Sequence, residues 1–271
     1  MLFSYHVHSL WSDGKSEIRD MVIAGRDKGL SELGISDHYV LTPGREQMEW
    51  SMPIDDIDGY VEAVQTASGE AGEEMIVRLG LEVDFIPETA ADLATVLSSQ
   101  PFDYVIGSVH IINGFPVDGS IDDWKPLGQK ERDEANRTYW IRIREMAESG
   151  LFDIAGHLDL CKKFALYPSI DLSAEIEAAL DAISVSGMSV ELNTAGWYMP
   201  CGEEYPNTSI LRGCLKRNIP ILVSADAHVP ENLVRGYGRA YNLLKEIGFT
   251  EMVSYAGRQK FPCEIPSGEM G

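Results

Sequence analysis

The sequence predicts an α/β fold, a TIM-like (β/α)7 barrel forming a single domain, and three observations predict it. Short apolar or alternating runs are followed seven times by longer amphipathic ones, the signature of parallel strands joined by helical crossovers. The chain has 271 residues and 44% hydrophobic content, enough for one large core and a fitting length for one barrel. All six histidines fall at the C-terminal ends of the predicted strands. In a parallel barrel those ends converge on one face, where barrel active sites are built.

The units run in order. "LFSYHVH" precedes the helical "SEIRDMVIAGRDKG", and "LSELGISDH" leads through a polar loop to "IDDIDGYVEAVQTASGEA". "MIVRLGLEVDF" precedes "ETAADLATVLSSQ", and "FDYVIGSVHII" precedes "KERDEANRTYWIRIREMAESG", an amphipathic outer helix. "FDIAGHLD" is followed by "LSAEIEAALDAISVSG", "MSVELNT" by "TSILRGCLKRN", and "IPILVSADAH" by "PENLVRGYGRAYNLLKEIG". Ser16 and Ser173 are expected as N-caps, supplying a hydroxyl where orphan N–H groups need an acceptor. Gly29, Gly150, Gly187 and Gly248 are expected at helix ends in the left-handed conformation. Residues 42–53, "TPGREQMEWSMP", are the best lid-loop candidate. No repeat or linker divides the chain, so residues 1–266 are expected as one domain and 267–271 as a frayed tail.

The formal charge of −21 repels polyphosphate backbones and anionic membranes at long range, which argues against nucleic-acid polymer or membrane binding as the main activity. An acidic surface is also an ordinary solubility feature. Cys161, Cys201, Cys214 and Cys263 form no C-x-x-C pair and suit a reducing compartment. With five residues before His6 and no apolar run of about 18, the expectation is a soluble, cytoplasmic protein.

His6 and His8 stand at i and i+2 of the first strand and point to the same side. Asp37 and His38 end the second strand, Glu82 and Asp84 the third, His110 the fourth, His157 and Asp159 the fifth, Glu191 and Asn193 the sixth, Asp226 and His228 the seventh. A lone H-x-H motif is weak, and His38 or His110 alone reads most simply as a hydrogen-bonded structural histidine. Together they read as a polynuclear metal centre, because imidazoles and carboxylates converging from different strands are the ligand set of Zn, Mn or Fe.

"YHVHSLWSDG", "GISDH", "GLEVDF", "GSVH", "GHLDL" and "SADAH", in this order, resemble the motifs of the PHP (polymerase and histidinol phosphatase) superfamily over nearly the whole chain. "SVHIINGFPVD" and "VELNTAGWYMPCGEEYPNTSIL" are most similar to its stand-alone histidinol-phosphate phosphatases, whereas "HSLWSDG" is also similar to the branch acting on nucleoside phosphates and short oligonucleotides. The resemblance implies a distorted seven-stranded barrel with three divalent ions. It implies one held by His6, His8, Glu82 and Asp226, a second by the bridging Glu82 with His110 and His157, and a third by Asp13, His38 and His228. Some members carry a histidine where Asp13 stands; a carboxylate there hardens the site toward Mn or Fe over Zn.

The implied reaction is hydrolysis of a small phosphate ester, L-histidinol phosphate to L-histidinol and phosphate, by a metal-bridging hydroxide. Alternatives are a phosphoesterase for nucleoside monophosphates or short oligonucleotides and a catalytically silent metal-binding interaction module. Asp37, Asp159 and His228 are the candidates for acid–base or orienting roles, with helix capping the alternative for the two aspartates. Lys162, Lys163, Arg235 and Arg239 are candidates for gripping phosphate, against the plainer reading of solvated or acid-paired cations. Asn193 and Trp197 are further substrate-binding candidates, and Trp11, Tyr39 and Tyr198 could stack on a substrate ring or pack loops on the rim. Cys161 reads as a small buried residue.

Overall fold

The computed structural model describes residues 1–72 and 74–268; the last three residues of the expected tail, 269–271, lie outside them. The strands are β1 (Phe3–Ser4), β2 (Glu32–Ile35), β3 (His38–Tyr39), β4 (Ile76–Asp84), β5 (Tyr104–Ser108), β6 (Ile111–Ile112), β7 (Phe115–Pro116), β8 (Ile154–Ala155), β9 (Ser189–Asn193), β10 (Ile221–Ser224), β11 (Glu251–Ala256) and β12 (Gln259–Glu264). The helices are α1 (Ile18–Asp27), α2 (Ile57–Ala71), α3 (Ala90–Ser99), α4 (Ile121–Trp124), α5 (Gln129–Glu148), α6 (Ser173–Ser186), α7 (Thr208–Lys216) and α8 (Tyr237–Ile247). No helix among the described residues is long and apolar enough to cross a membrane.

Seven parallel strands form the wall in the order β1-β2-β4-β5-β8-β9-β10, as the alternation of units predicts. The second strand is broken at Ser36 and Asp37: β2 pairs with the first half of β4, and β3 pairs with its second half, setting His38 opposite Glu82. Closure between the first and last strands is confined to the C-terminal rim. There Val7 bridges Ala227, with His8 N–H donating to the Ala227 carbonyl at 2.9 Å and Ala227 N–H to that of His6 at 3.0 Å.

At the other end the wall is plugged rather than closed. The β11–β12 hairpin, which the sequence reading did not assign, brings Tyr255 against the barrel floor, where its N–H donates to the Tyr5 hydroxyl and its own hydroxyl to the Asp153 carbonyl. Phe3, Tyr5, Tyr104 and Tyr255 stack in sequence with ring centroids 4.7, 4.9 and 6.4 Å apart. Tyr5 also donates to Glu32, which Arg78 grips with two further bonds, so the buried hydroxyl and carboxylate are both satisfied. A second unassigned hairpin, β6–β7, follows β5 and shapes the rim.

Helices cover the outside as their periodicity requires. In α1 the buried positions are Ile18, Met21, Val22 and Gly25, one stripe of a 3.6-residue period. The expected glycines end their helices with positive φ: 73° at Gly29, 68° at Gly150, 76° at Gly187 and 116° at Gly248. The two expected serine caps are not made. Glu17 occupies the N-cap of α1 without a side-chain bond, and Ser16 instead gives its carbonyl to Leu10 N–H. Ser173 is already inside α6, where its N–H and hydroxyl both donate to Asp171, an Asx turn that supplies the acceptor from one residue earlier than the cap.

Tyr104 lies across β4 so closely that a Cβ at Gly80 would stand 2.2 Å from its ring carbon Cζ. Gly80→Ala therefore forces a fully buried ring out of place in a close-packed floor, and we expect a loss of about 1–3 kcal/mol, read as a lower urea midpoint with an unchanged slope.

Candidate metal centre

The strand ends carry the polar residues to one rim because successive side chains alternate, leaving every second one turned inward. His6 and His8 leave β1 on the same side, and Asp226, in the left-handed region with φ 52°, turns the chain after β10 so that its carboxylate faces them. Asp13 arrives on a tight loop. Gly14 there approaches the His8 backbone so closely that a Cβ would sit 2.5 Å from its carbonyl, so no other residue fits.

The nine residues expected as ligands converge. Four groups offer ligand atoms all within 4.8 Å of one another: His8 with Asp13, His38 and His228; His6 with Glu82 and His157; His6 and His8 with Asp226; His38 with Glu82 and His110. Glu82 is the hub. Its Oε2 lies 3.0 Å from His6 Nε2, 3.4 Å from His8 Nε2 and 2.9 Å from His38 Nδ1, and its Oε1 lies 2.9 Å from His157 Nε2. On the far side His228 Nε2 is 3.1 Å from Asp13 Oδ1.

Several of these atoms approach without bonding. Among the described residues, His6 Nε2, both ring nitrogens of His8, Asp13 Oδ1 and Glu82 Oε2 are buried with no hydrogen-bond partner. Buried polar atoms in folded proteins almost always have one. Lone pairs that crowd one another and bond to nothing fit cations between them.

Electrostatics sharpens the picture. Burial opposes charge on Glu82 and Asp226, yet the surrounding imidazoles, His38 and His6 at the first and His6 and His8 at the second, hold both carboxyls well below the usual range. Asp13 falls to about 2, against burial, through His228 and His38. Burial, with His38 and His228 beside it, pushes His8 down to about 3, a neutral imidazole with a free lone pair. Burial also opposes charge on His6, His110 and His228, but neighbouring carboxylates prevail. Glu191 and Glu82 hold His6 well above its usual range, Asp84 and Asp118 raise His110 to about 10, and Asp13 and Asp226 raise His228 to about 9.

A second layer orients the first. Glu191, fully buried, accepts from His6 Nδ1 at 2.9 Å, from His157 N–H at 2.6 Å and from the Ser224 hydroxyl. That bond fixes the His6 tautomer so that Nε2 faces inward. Ser108 donates to Glu82, and Asp84 accepts from His110 N–H. The sequence reading set Glu191 and Asp84 at strand ends without giving either a role; the sign was a carboxylate on an inward position of a strand otherwise apolar.

Other expected residues are placed elsewhere. Asp37 takes Ser9 N–H and the hydroxyls of Ser9 and Ser12, holding the loop that carries Asp13. Asp159, pushed up to about 7 by burial even with Lys162 Nζ 2.9 Å away, also accepts from Asn207 N–H. Lys162 is correspondingly spent on Asp159 and the Glu204 carbonyl. Asn193 donates to Glu191 and Asp226 and accepts from Ala195 N–H, and Trp197 donates to Glu204 while stacking on Arg239. Tyr39 is core, Trp11 packs edge-on against Tyr60, and Cys161 is buried. Tyr198 lies under the Arg235 guanidinium.

Above the cluster opens a cavity of about 740 Å³ whose lining includes His38, His110, His157, Asp226 and His228, together with Lys163 and Arg235. Of the residues expected in acid–base roles, His228 alone lines it. The expected lid loop supplies Met48 and Trp50, the latter edge-on to His38 and His110 at centroid distances of 4.9 and 5.4 Å.

The PHP domain family matches residues 4–195. The chain is 33% identical over 245 residues to a protein of Deinococcus radiodurans named probable histidinol-phosphatase, across 90% of this chain and 92% of that one. It is 24% identical over 261 residues to the histidinol-phosphatase of Lactococcus lactis, across 93% and 94%. The crystal structure of histidinol phosphate phosphatase from Lactococcus lactis, described as a complex with Zn, L-histidinol and phosphate, shares the fold with a TM-score of 0.79 at 23% identity, covering 96% of this chain and 98% of that one. Motif order, barrel and converging rim agree with these matches, and the chain belongs to the PHP domain family.

Proposed function

We infer that this protein is a metal-dependent phosphomonoesterase that hydrolyses L-histidinol phosphate to L-histidinol and phosphate, with residues 1–266 acting as one catalytic domain. The observation that carries the reading is the convergence of six imidazoles and three carboxylates with buried, unpartnered ligand atoms beneath an open cavity. The substrate is supported by the names of relatives that match the chain nearly end to end. A cytoplasmic setting is supported by the four free thiols of Cys161, Cys201, Cys214 and Cys263.

We assign three ions, one among His6, His8, Glu82 and Asp226, one among Glu82, His110 and His157, and one among Asp13, His38 and His228; the observed groupings support this, with His6, His8 and His38 each shared between two of them. Imidazole and carboxylate together suit Zn, Mn or Fe. When bound, such ions acidify a water and offset charge on the phosphoryl oxygens. The chain's own residues do the rest. Glu191 and Asp84 hold His6 and His110 in register, Asp37 anchors the loop of Asp13, and Lys163 and Arg235 present cations to the cavity, where the phosphate group of a small ester can meet them. Met48 and Trp50 of the expected lid loop wall one side of the cavity.

Three outcomes are expected. Supplied with Zn or Mn, the protein turns over histidinol phosphate with a kcat/KM at least about 100-fold above that for nucleoside monophosphates, a gap of the size a pocket built to bond one substrate produces; parity between the two sets of substrates sinks the assignment. His8→Ala loses bound metal by elemental analysis and at least about a thousandfold in kcat, the several kcal/mol that metal charge supplies, with far-UV circular dichroism unchanged.

The third concerns pH. Held in chelator, the protein has His110 and His228 at about 10 and about 9, above their unfolded value of about 6.5. Raised imidazoles contribute stability that is complete below pH 6.5 and is lost as pH climbs through 9 to 10. Urea midpoints in chelator should therefore fall over that interval. Metal competes with those same protons, so the stabilisation gained on adding metal should grow over it; a midpoint flat in pH contradicts the charge assignment.

A further inference from the structure

The cavity has two walls of different character. One is the ligand cluster. The other is largely apolar, with Trp50, Met199 and Tyr205 among its residues, and beyond the cluster its only charged members among the described residues are Asp118, Lys163 and Arg235. Two cations there match a phosphate. A carboxylate does not: it repels a phosphate dianion and must have another reason to face the cavity.

Asp118 follows β7 and reaches the cavity beside His110. Among the described residues one side chain donates to its carboxylate, Lys163 Nζ to Oδ2 at 3.2 Å, and that ammonium is closer to the Asp118 main-chain carbonyl, at 2.8 Å. The carboxylate therefore keeps most of its acceptor capacity, since an ionised carboxyl offers about four lone-pair sites. Its side chain is 28% exposed and that of Lys163 21%. Among the described residues it is the one cavity-lining carboxylate outside the cluster, the other two being Asp13 and Asp226.

We propose that Asp118 is a specificity residue that accepts a hydrogen bond from the substrate's ammonium group, so that the cavity selects phosphate monoesters of amino alcohols over amine-free esters of the same shape. The inference rests on the phosphomonoesterase reading above and adds to it the part of the substrate that is recognised away from the phosphate. It works in both directions. An ammonium near the ester is neutralised and bonded, whereas an ester without one leaves a carboxylate facing a second anion in a partly desolvated space. Nucleoside monophosphates, with no cation near the ester, belong to the rejected class.

The test compares histidinol phosphate with its deamino analogue, 3-(imidazol-4-yl)propyl phosphate, on wild type and on Asp118→Asn. In wild type the amine-bearing ester should lead in kcat/KM by about 10- to 100-fold, the range of one hydrogen bond to a charged group. In Asp118→Asn the ratio should fall to near 1. Because both esters are measured on the same preparation, partial misfolding or metal loss cancels in the ratio. If Asp118 serves only to hold Lys163, both esters slow together, the ratio stays at its wild-type value and the proposal is overturned. A wild-type ratio near 1 overturns it as well. Failure of the histidinol phosphate reading is seen separately, as a wild type that hydrolyses phosphate esters but neither imidazole ester. The same comparison then runs on ethanolamine phosphate against ethyl phosphate, with the same ratio deciding.

Discussion

One buried carboxylate governs the open end of this barrel. Glu82 has no solvent exposure, and an isolated ion in such a place costs several kcal/mol. It is tolerated because five imidazoles, from His6, His8, His38, His110 and His157, surround it within 3.6 Å. No single strand could supply them. The seven-unit architecture is what lets residues at opposite ends of the chain share one centre, and the break between β2 and β3 brings His38 level with Glu82.

The two ends of the barrel solve opposite problems. At the floor Tyr5, Tyr104 and Tyr255 find partners for their hydroxyls in Glu32 and main-chain carbonyls, so the three buried phenols are satisfied. At the rim the polar atoms are equally buried but left unsatisfied. A protein that satisfies the buried phenols at one end and leaves several crowded ligand atoms open at the other carries that deficit for a ligand's sake, the expected pattern where function overrides local consistency. The closure of the wall only at Val7 and Ala227 serves the same end. It ties the main chain of His6 and His8 to Ala227, the neighbour of Asp226.

Much of this was legible beforehand because central parallel strands read as apolar runs ending in polar residues, and ends of such strands must meet on one face. The gathering of all six histidines followed from topology alone. What escaped had two physical causes. Hydrogen bonds made late in the chain's path are invisible locally: Asp171, not the N-cap residue, serves the start of α6, and Lys162 is drawn inward by Asp159 and Glu204 rather than toward the cavity. Segments whose partner is another layer also went unread. The β11–β12 hairpin has neither the length nor the crossover helix of a barrel unit, and its buried run from Met252 to Tyr255 has meaning only against a floor supplied by Tyr5, Tyr104 and Ser189. Glu191 was visible as a residue but not as an orienting group, because its role depends on which of the two nitrogens of His6 it meets.

The net charge of −21 shows how little a global figure decides at such a site. Arg45, Arg78, Arg137, Arg142, Arg217 and Arg258 are paired with acids. Arg235 is not: among the described residues no carboxylate lies within ion-pair distance, its Nε is buried without a partner, and its guanidinium rests on the Tyr198 ring while reaching the cavity. Surface charge is screened over about 8 Å at physiological ionic strength, whereas charges lining a low-dielectric cavity act on its contents almost unscreened. The anion at the mouth therefore meets Arg235 and Lys163, together with any cations below, before it meets the acidic surface. Within that local field Asp118, an acid bonded to Lys163, stands out by contrast, and the sign of each group in the cavity says more about the substrate than the sum over the chain.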